Sequence, residues 1–305
     1  MISIVVCHRS PHFLEQFKQS LAETIGLDYE LIVIDNSQNA YGICQAYNLG
    51  GAQAQYDILC FAHEDILFHT PNWGQNLLRH FEEPQVGAVG VAGSKIFSSK
   101  WFTFGGKHGF GKINILQHTV EGKAVHLEKT DPGVKASMVV SLDGVFIACR
   151  KSVFATTPFD EQNLQHFHCY DMDFSLRVSQ QQVVLVAYDI LLEHISCANY
   201  NERFAQEFDR HFMPKWASQL PIYTADFDVK MLPKAEWYLF QTYARTPMMQ
   251  GEIGRLLRES LGLFFRYPQL GLAIKIWALI LFFEPLERLK KQLQPRHHGA
   301  KSSNS

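Results

Sequence analysis

A short apolar run in the sequence ends abruptly in a histidine and two carboxylates. Residues 57–62 read DILCFA, and His63, Glu64 and Asp65 follow directly. Such a run is typical of a buried strand in an α/β sheet, and ligands of these sheets bind beyond the carboxyl ends of the strands. Side chains of these types can hold a divalent cation, so the run predicts metal-assisted transfer on a phosphate-bearing substrate. The alternative is that Glu64 and Asp65 only solvate a strand end.

Other carboxylates also recur at strand ends or helix starts. Asp35 ends a β-branched apolar run, and Asp171 and Asp173 lie where a helix is expected to begin. A diphosphate-sugar donor needs such a set, because a cation held by carboxylates neutralises its phosphates while a further carboxylate deprotonates the attacking hydroxyl. Structural roles remain open: Asp171 as a helix cap, Asp173 paired with Arg177, and His194 as a core histidine.

The elements that must position these residues alternate between strands and helices. Alternation of this length favours βαβ units and a largely parallel sheet, which is the α/β class. Residues 95–135, rich in Gly and Lys, are expected to form long loops around the site. The predicted strands cover residues 2–7, 29–34, 57–66, 86–92, 139–149 and 183–187, and helices are predicted from residues 10, 42, 70, 171 and 201.

Composition and charge describe a large globular protein. The chain has 305 residues, 47% hydrophobic and 19% charged, which suits one large α/β domain with an appendage. The whole chain has a formal net charge of −2, but residues 251–305 hold nine Lys and Arg against four Asp and Glu. The expected partner of this basic segment is an anionic surface, and nucleic acid is not expected as a partner. Six cysteines without a CxxC pair, and a start unlike a signal peptide, predict a cytoplasmic location.

The order of the motifs resembles the family-2 glycosyltransferases of the GT-A fold over roughly the first 200 residues. Two variant signatures, His-x-Asp at 63–65 and His-x-Tyr-Asp at 168–171, are similar to those of a bacterial, rhamnosyltransferase-like subgroup. The segments that carry the resemblance are the strand 2–7 with HRS, LIVIDNS at 31–37, AxNxG at 46–50, HED at 63–65, DGVFIACRKSVF at 143–154, FDE at 159–161 and YDMDFSLR at 170–177.

This resemblance implies a GT-A domain over residues 1–220, with a mixed, mostly parallel sheet flanked by helices. A helical extension, associating with a membrane or a partner, would cover residues 221–293, and residues 294–305 would be a disordered tail. The implied activity is transfer of a hexosyl or deoxyhexosyl group from a nucleotide-diphosphate sugar to a glycan or lipid-linked acceptor hydroxyl. The implied outcome is inversion, and the implied role is bacterial surface polysaccharide synthesis.

The resemblance also assigns roles to individual residues. Asp171 would be the general base, with His168, Tyr170 and Asp173 on the acceptor side. The metal ligands would be His63, Asp65 and His194. Residues expected to bind the nucleotide sugar are His8, Arg9, Asp35, Asn36, Ser37, Asn48, Glu64, Asp65, Asp143 and Gly144.

Two departures from the family pattern matter. His63 replaces the first aspartate of the family's Asp-x-Asp, and because imidazole suits Mg²⁺ poorly this favours Mn²⁺, with loss of metal dependence as the alternative. Tyr170 stands where a glutamate is common.

The apolar run at 276–283 is too short to span a bilayer. Basic residues around it, among them Arg255, Arg258 and Arg266, favour an in-plane helix on the inner face of the plasma membrane, and packing on the domain or on a second subunit is the alternative. Rival functions are a nucleotidyltransferase or metal-dependent phosphohydrolase on a related fold, and a catalytically dead glycan-binding relative.

Overall fold

The structure, a computed structural model, describes residues 1–100, 109–196, 202–246, 249, 252–278 and 280–281. It divides into two compact units, Met1–Met231 and Leu232–Ser305. The sequence prediction set this boundary after residue 220. The predicted disordered tail at 294–305, and residues 282–293 of the predicted extension, lie outside the described residues.

The first unit contains fifteen strands and seven α-helices in its described part. The strands are β1 (Ile2–His8), β2 (Tyr29–Asp35), β3 (Ile58–Ala62), β4 (Ile66–Phe68), β5 (Val86–Gly90), β6 (Ala92–Ser94), β7 (Ile96–Phe97), β8 (Gly111–His118), β9 (Ala124–Lys129), β10 (Ala136–Val139), β11 (Ser141–Leu142), β12 (Phe146–Arg150), β13 (Val183–Ala187), β14 (Leu192–His194) and β15 (Ile222–Tyr223). The helices are α1 (Pro11–Thr24), α2 (Ile43–Gln53), α3 (Trp73–His80), α4 (Lys151–Thr156), α5 (Tyr170–Ser179), α6 (Glu202–Glu207) and α7 (Met213–Trp216), with a π-helix (Phe208–Phe212) between the last two and a 3-10 turn (Val229–Met231) at the end.

The main sheet has seven strands in the order β10-β13-β5-β12-β3-β1-β2. Strands β1, β2 and β3 are parallel neighbours, whereas β12 runs antiparallel between β3 and β5. The apolar residues of β1 and β3 are buried on both faces, because helices cover the sheet. His8 pairs with Asp35 and Val6 with Ala62, so the polar residues that follow these strands share one edge. The predicted mixed, mostly parallel sheet flanked by helices is confirmed.

The prediction of long loops over residues 95–135 is wrong for much of that segment. Strands β8 and β9 form an antiparallel hairpin, and β8 lies inside a second sheet of order β11-β6-β8-β14-β4. The residues of β9 are almost all exposed, so its sequence carries no strong apolar alternation, and pairing with β8 decides its conformation. The hairpin matters for the site because Gln117 lies near the end of β8.

The second unit is helical in its described part, as predicted for the C-terminal extension. It contains α8 (Leu232–Tyr243), α9 (Ile253–Arg266) and α10 (Leu270–Ala278). The Trp277 Nε1 atom donates a hydrogen bond to Ser260 Oγ (2.9 Å), which joins α10 to α9. Among the described residues, none of the helices combines the length and the apolar character needed to cross a bilayer.

Candidate functional site

A cavity of about 1350 Å³ opens at the edge of the main sheet where β1, β2 and β3 end. It is large enough for a nucleotide sugar together with part of an acceptor, since pockets for small ligands measure roughly 300–1,000 Å³. All of the predicted site residues line this cavity except His8, Asp35, Asn48 and Asp173.

His63, Asp65 and His194 form a cluster that can hold a metal ion, with one ligand atom from each lying within 4.8 Å of the others. Asp65 Oδ1 is 4.0 Å from His63 Nδ1 and 3.6 Å from His194 Nε2. Two ligands at about 2.1 Å from one ion lie at most about 4.2 Å apart, so both separations are within reach of a shared ion. Burial, with a further contribution from His194, lowers the pKa of His63 and keeps its imidazole neutral, as a metal ligand must be.

In both histidines, the ring nitrogen that does not face Asp65 contacts another side chain at hydrogen-bond distance. His63 Nε2 lies 2.9 Å from Tyr170 Oη, which in turn donates to the carbonyl oxygen of Gly144 (3.0 Å). His194 Nδ1 lies 3.1 Å from Gln117 Oε1. Such outer hydrogen bonds orient metal-ligating histidines in proteins generally.

Asp171 presents a carboxylate to the same cavity from the first turn of α5. Its Oδ2 accepts the Gly144 N–H (2.9 Å) and its Oδ1 accepts the Met172 N–H (2.9 Å). Burial, reinforced by the nearby charge of Asp143, outweighs these hydrogen bonds and raises the pKa of Asp171 to about 7. A carboxyl group with this pKa can accept a proton from a hydroxyl near neutral pH.

Glu64 does not face the cavity as a free ligand, because its carboxylate holds the loop between β1 and α1. It accepts hydrogen bonds from the backbone N–H groups of Arg9 (3.0 Å) and Ser10 (3.0 Å) and contacts His8 Nδ1 at 2.9 Å. This arrangement fixes the position at which Arg9 borders the cavity.

Three predicted residues that do not line the cavity, His8, Asp35 and Asn48, contact neighbouring segments. His8 contacts Glu64 as described, and Asp35 accepts the Ser37 N–H (2.9 Å), which shapes the turn after β2 and helps to lower the pKa of Asp35. Asn48 exchanges two hydrogen bonds with the backbone of Phe159, at 2.9 and 3.0 Å, and so ties α2 to the segment before α5.

Asp173 is buried in an ionic network. Its carboxylate contacts Arg177 Nε (2.8 Å), Lys215 Nζ (2.6 Å) and Trp216 Nε1 (2.9 Å). The helical pairing with Arg177, which the sequence left open, is therefore present. The acceptor-side role of Asp173 stays a prediction, and its contacts join α5 to α7.

Some cavity residues escaped the sequence reasoning. Gln117, Phe167 and Arg203 line the cavity, and the Phe167 side chain is 49% exposed with its ring centroid 5.6 Å from that of His63. An exposed aromatic residue inside a run of histidines was the available signal for Phe167. The other two had none, because they lie in segments without a recognisable motif.

Comparison with known proteins gives one family and several distant structural relatives. The profile of a family described as "Glycosyltransferase like family" matches residues 3–211. No curated protein sequence matches the chain. The structure of S. aureus TarS aligns with 13% identity and a TM-score of 0.52, covering 95% of this chain and 53% of TarS. This likeness concerns the fold alone.

Two further structures are more distant. GalNAc-T7 with UDP, GalNAc and Mn²⁺ aligns at 12% identity and TM-score 0.48, over 88% of this chain and 58% of that protein. The mannosyltransferase PcManGT from Pyrobaculum calidifontis, in complex with GDP-Man and Mn²⁺, aligns at 10% identity and TM-score 0.48, over 92% of this chain and 87% of that protein. The chain thus spans little more than half of the length of GalNAc-T7 and TarS.

The family match extends over more than two thirds of the sequence, from β1 to the π-helix, and includes the whole cavity that holds His63, Asp65, Asp171 and His194. The chain belongs to the glycosyltransferase-like family, of family-2 type, with the GT-A fold.

Proposed function

We propose that this protein transfers a sugar from a nucleotide-diphosphate sugar to the hydroxyl of a glycan or lipid-linked acceptor, with inversion at the anomeric carbon. The observation that carries the proposal is the meeting of two features in one cavity. A cluster able to hold a divalent ion and a carboxyl group whose pKa lies near neutrality both face the same space. Those are the two requirements for expelling a diphosphate while activating a hydroxyl.

In this mechanism Asp171 takes the proton of the acceptor hydroxyl as that oxygen attacks the anomeric carbon. The hydrogen bonds from Gly144 and Met172 keep the carboxylate in place before and after the transfer. Inversion needs no covalent intermediate, so no further nucleophile is required of the chain. The loop fixed by Glu64 and the turn at Asn36 and Ser37 border the cavity where the nucleotide is proposed to bind.

His63, Asp65 and His194 would hold the divalent ion, which when bound supplies positive charge that stabilises the leaving diphosphate. Two imidazoles in the set support Mn²⁺ over Mg²⁺, because Mg²⁺ prefers oxygen ligands. The half-exposed ring of Phe167, beside His63, offers an apolar face to a sugar on the acceptor side next to His168.

This function is tested by measuring the release of nucleoside diphosphate from a panel of sugar nucleotides in the presence of Mn²⁺. Each sugar nucleotide is assayed first without an acceptor and then with candidate acceptors. We expect acceptor-dependent release of nucleoside diphosphate for one donor. The Asp171→Asn substitution should slow this release at least about a hundredfold, which is within the range of general-base effects. Binding without turnover would favour the glycan-binding alternative. Acceptor-independent cleavage of phosphate bonds would favour the phosphohydrolase.

The proposal extends to the cell, where the protein would act in the cytoplasm on surface polysaccharide at the inner membrane face. The five described cysteines are free thiols, which supports a reducing compartment. In the second unit Phe265, Leu270 and Ile274 are 83, 60 and 54% exposed, and Arg266 and Lys275 are exposed beside them in sequence. Exposed apolar residues with basic neighbours suit an anionic lipid surface.

A flotation assay with vesicles containing phosphatidylserine tests the membrane contact. The double substitution Phe265→Glu with Ile274→Glu should abolish flotation of the full chain. Val120→Glu, at an 87% exposed position in the first unit, is the matched control and should float as the wild type does. Equal flotation of all three proteins would rule out this surface as the anchor.

A further inference from the structure

We infer that Tyr170 and Gln117 are positioning residues that set the tautomers of His63 and His194, so that one free nitrogen of each ring faces Asp65. The inference rests on the proposed function only in taking these three residues as a metal site. It concerns the chain before any nucleotide sugar binds.

The tautomer of His63 follows from counting protons around Tyr170. Its phenol has one proton, and the carbonyl oxygen of Gly144, 3.0 Å away, can only accept a hydrogen bond. The phenol proton is therefore used on Gly144. The contact of 2.9 Å between Tyr170 Oη and His63 Nε2 then requires the imidazole to donate. A neutral imidazole has one N–H group, so Nδ1 keeps its lone pair, and Nδ1 is the atom that lies 4.0 Å from Asp65 Oδ1.

The tautomer of His194 follows from the amide of Gln117. The amide nitrogen donates to the carbonyl oxygen of Ser196 (2.7 Å), which fixes the amide orientation and directs Oε1 toward His194 Nδ1 at 3.1 Å. Because Oε1 can only accept, Nδ1 carries a proton, and in a neutral imidazole Nε2 then keeps its lone pair. That nitrogen lies 3.6 Å from Asp65 Oδ1 and 3.2 Å from the Ser196 hydroxyl, which can donate a hydrogen bond to its lone pair.

The two rings thus use opposite nitrogens, yet both lone pairs face the same carboxylate oxygen. A ring in the wrong tautomer would present an N–H group to the ion and could not bind it. The arrangement also gives a physical reason for a tyrosine at position 170. A glutamate there would accept from His63 but could not donate to the Gly144 carbonyl when ionised.

Gly144 joins the metal ligand to the proposed base. The Gly144 carbonyl oxygen accepts a hydrogen bond from Tyr170, and the Gly144 N–H donates one to Asp171, the residue that follows Tyr170 in the sequence. A side chain cannot be added here, because a Cβ atom would lie 2.0 Å from Tyr170 Oη. One residue therefore sets the position of both functional groups.

Titration of Mn²⁺ alone into the full-length protein, followed by electron paramagnetic resonance of the free ion, tests the inference without any sugar substrate. Tyr170→Phe and Gln117→Met should each weaken Mn²⁺ binding about tenfold, the lower end of the effect of outer-sphere partners. Tyr56→Phe is the matched control, because Tyr56 lies half-buried in the first unit and outside the cavity lining. It should bind Mn²⁺ within twofold of the wild type.

Nitrogen NMR of metal-free protein labelled with ¹⁵N-histidine reads the tautomers directly and needs no folded variant of Tyr170. The signals of each ring are assigned by their loss in His63→Gln and His194→Gln. We expect a protonated Nε2 in His63 and a protonated Nδ1 in His194. The opposite tautomer in either ring, wild-type Mn²⁺ affinity in both positioning variants, or no Mn²⁺ binding by the wild type would each overturn the inference. Failure of sugar transfer alone would count against the proposed function and leave this result standing.

Discussion

The change in stability caused by replacing Asp171 with asparagine should be more favourable at alkaline pH than at acid pH. The carboxyl group lies partly buried near Asp143, and together burial and the Asp143 charge raise its pKa to about 7. An asparagine has nearly the same shape and carries no charge. The substitution therefore removes the cost of holding an ionised carboxylate at this position.

The size of the effect follows from linkage. The pKa of an aspartate in the unfolded chain is about 3.9. Between that value and about 7 the folded protein binds more protons than the unfolded chain, so the stability of the wild type falls as the pH rises and the loss is complete only above pH 7. Relative to low pH, where the group is protonated in both states, this shift lowers the free energy of unfolding by about 1.5 kcal/mol at pH 5 and by about 4 kcal/mol at pH 8. The stability difference between Asp171→Asn and the wild type should thus be about 2.5 kcal/mol more favourable at pH 8.

Urea unfolding of both proteins at pH 5 and pH 8, in the presence of EDTA, measures this difference. Any pH-independent effect of the amide cancels when the two pH values are compared.

Asp160→Asn is the control. Burial raises the pKa of Asp160, but hydrogen bonds from Lys215 and Asn163 outweigh it and hold the pKa below its usual value. Because its pKa is lowered, the carboxylate is ionised at both pH 5 and pH 8, so its substitution should destabilise the protein about equally at both pH values. The same difference at pH 5 and pH 8 for Asp171→Asn would refute the reasoning about its ionisation.

Four further predictions concern the neighbours of the site. Gly144→Ala forces a Cβ atom to 2.0 Å from Tyr170 Oη and should lower the free energy of unfolding in urea by about 1–3 kcal/mol while weakening Mn²⁺ binding. Lys215→Met leaves the buried carboxylate of Asp173 with one partner fewer and should cost about 1–3 kcal/mol of stability, with Mn²⁺ affinity unchanged; weaker Mn²⁺ binding would contradict a purely structural role. Glu64→Gln weakens the charge-assisted contacts to the loop after β1 and should reduce nucleotide-sugar affinity about tenfold by calorimetry, with no change in the Mn²⁺ dissociation constant. Removal of divalent ions by EDTA should weaken nucleotide-sugar binding, and Mn²⁺ should restore it better than Mg²⁺ in the same titration.

Local sequence patterns were sufficient for strands β1, β2 and β3 of the main sheet and for the edge at which the site lies. Strands β1, β2 and β3 are apolar runs that end in polar residues, and each is joined to the next by a helix with a clear boundary. Parallel strands joined in this way must place their carboxyl ends together, so His63 and Asp65 were predicted at the edge of the sheet where ligands bind.

Residues 95–135 show where such patterns stop being informative. Strand β9 has exposed residues on both faces, and β8 is stabilised by β6 and β14, which are distant from it in sequence. Strand formation of this kind depends on non-local partners more than on the residues of the strand itself. The position of Gln117 behind His194 could not be predicted for the same reason.

The sequence by itself determined the chemistry available to this protein, namely carboxylates and histidines at the ends of strands, and their order identified the family. Only the tertiary structure decided which partners each one contacts. Glu64 and Asp173 have the residue types of a binding site but are held by backbone and ionic partners, whereas Tyr170 and Gln117 gain their importance from contacts with histidines far away in the chain. Residue type sets which hydrogen bonds and charges a side chain can supply, and the packing of distant segments sets which partner receives them.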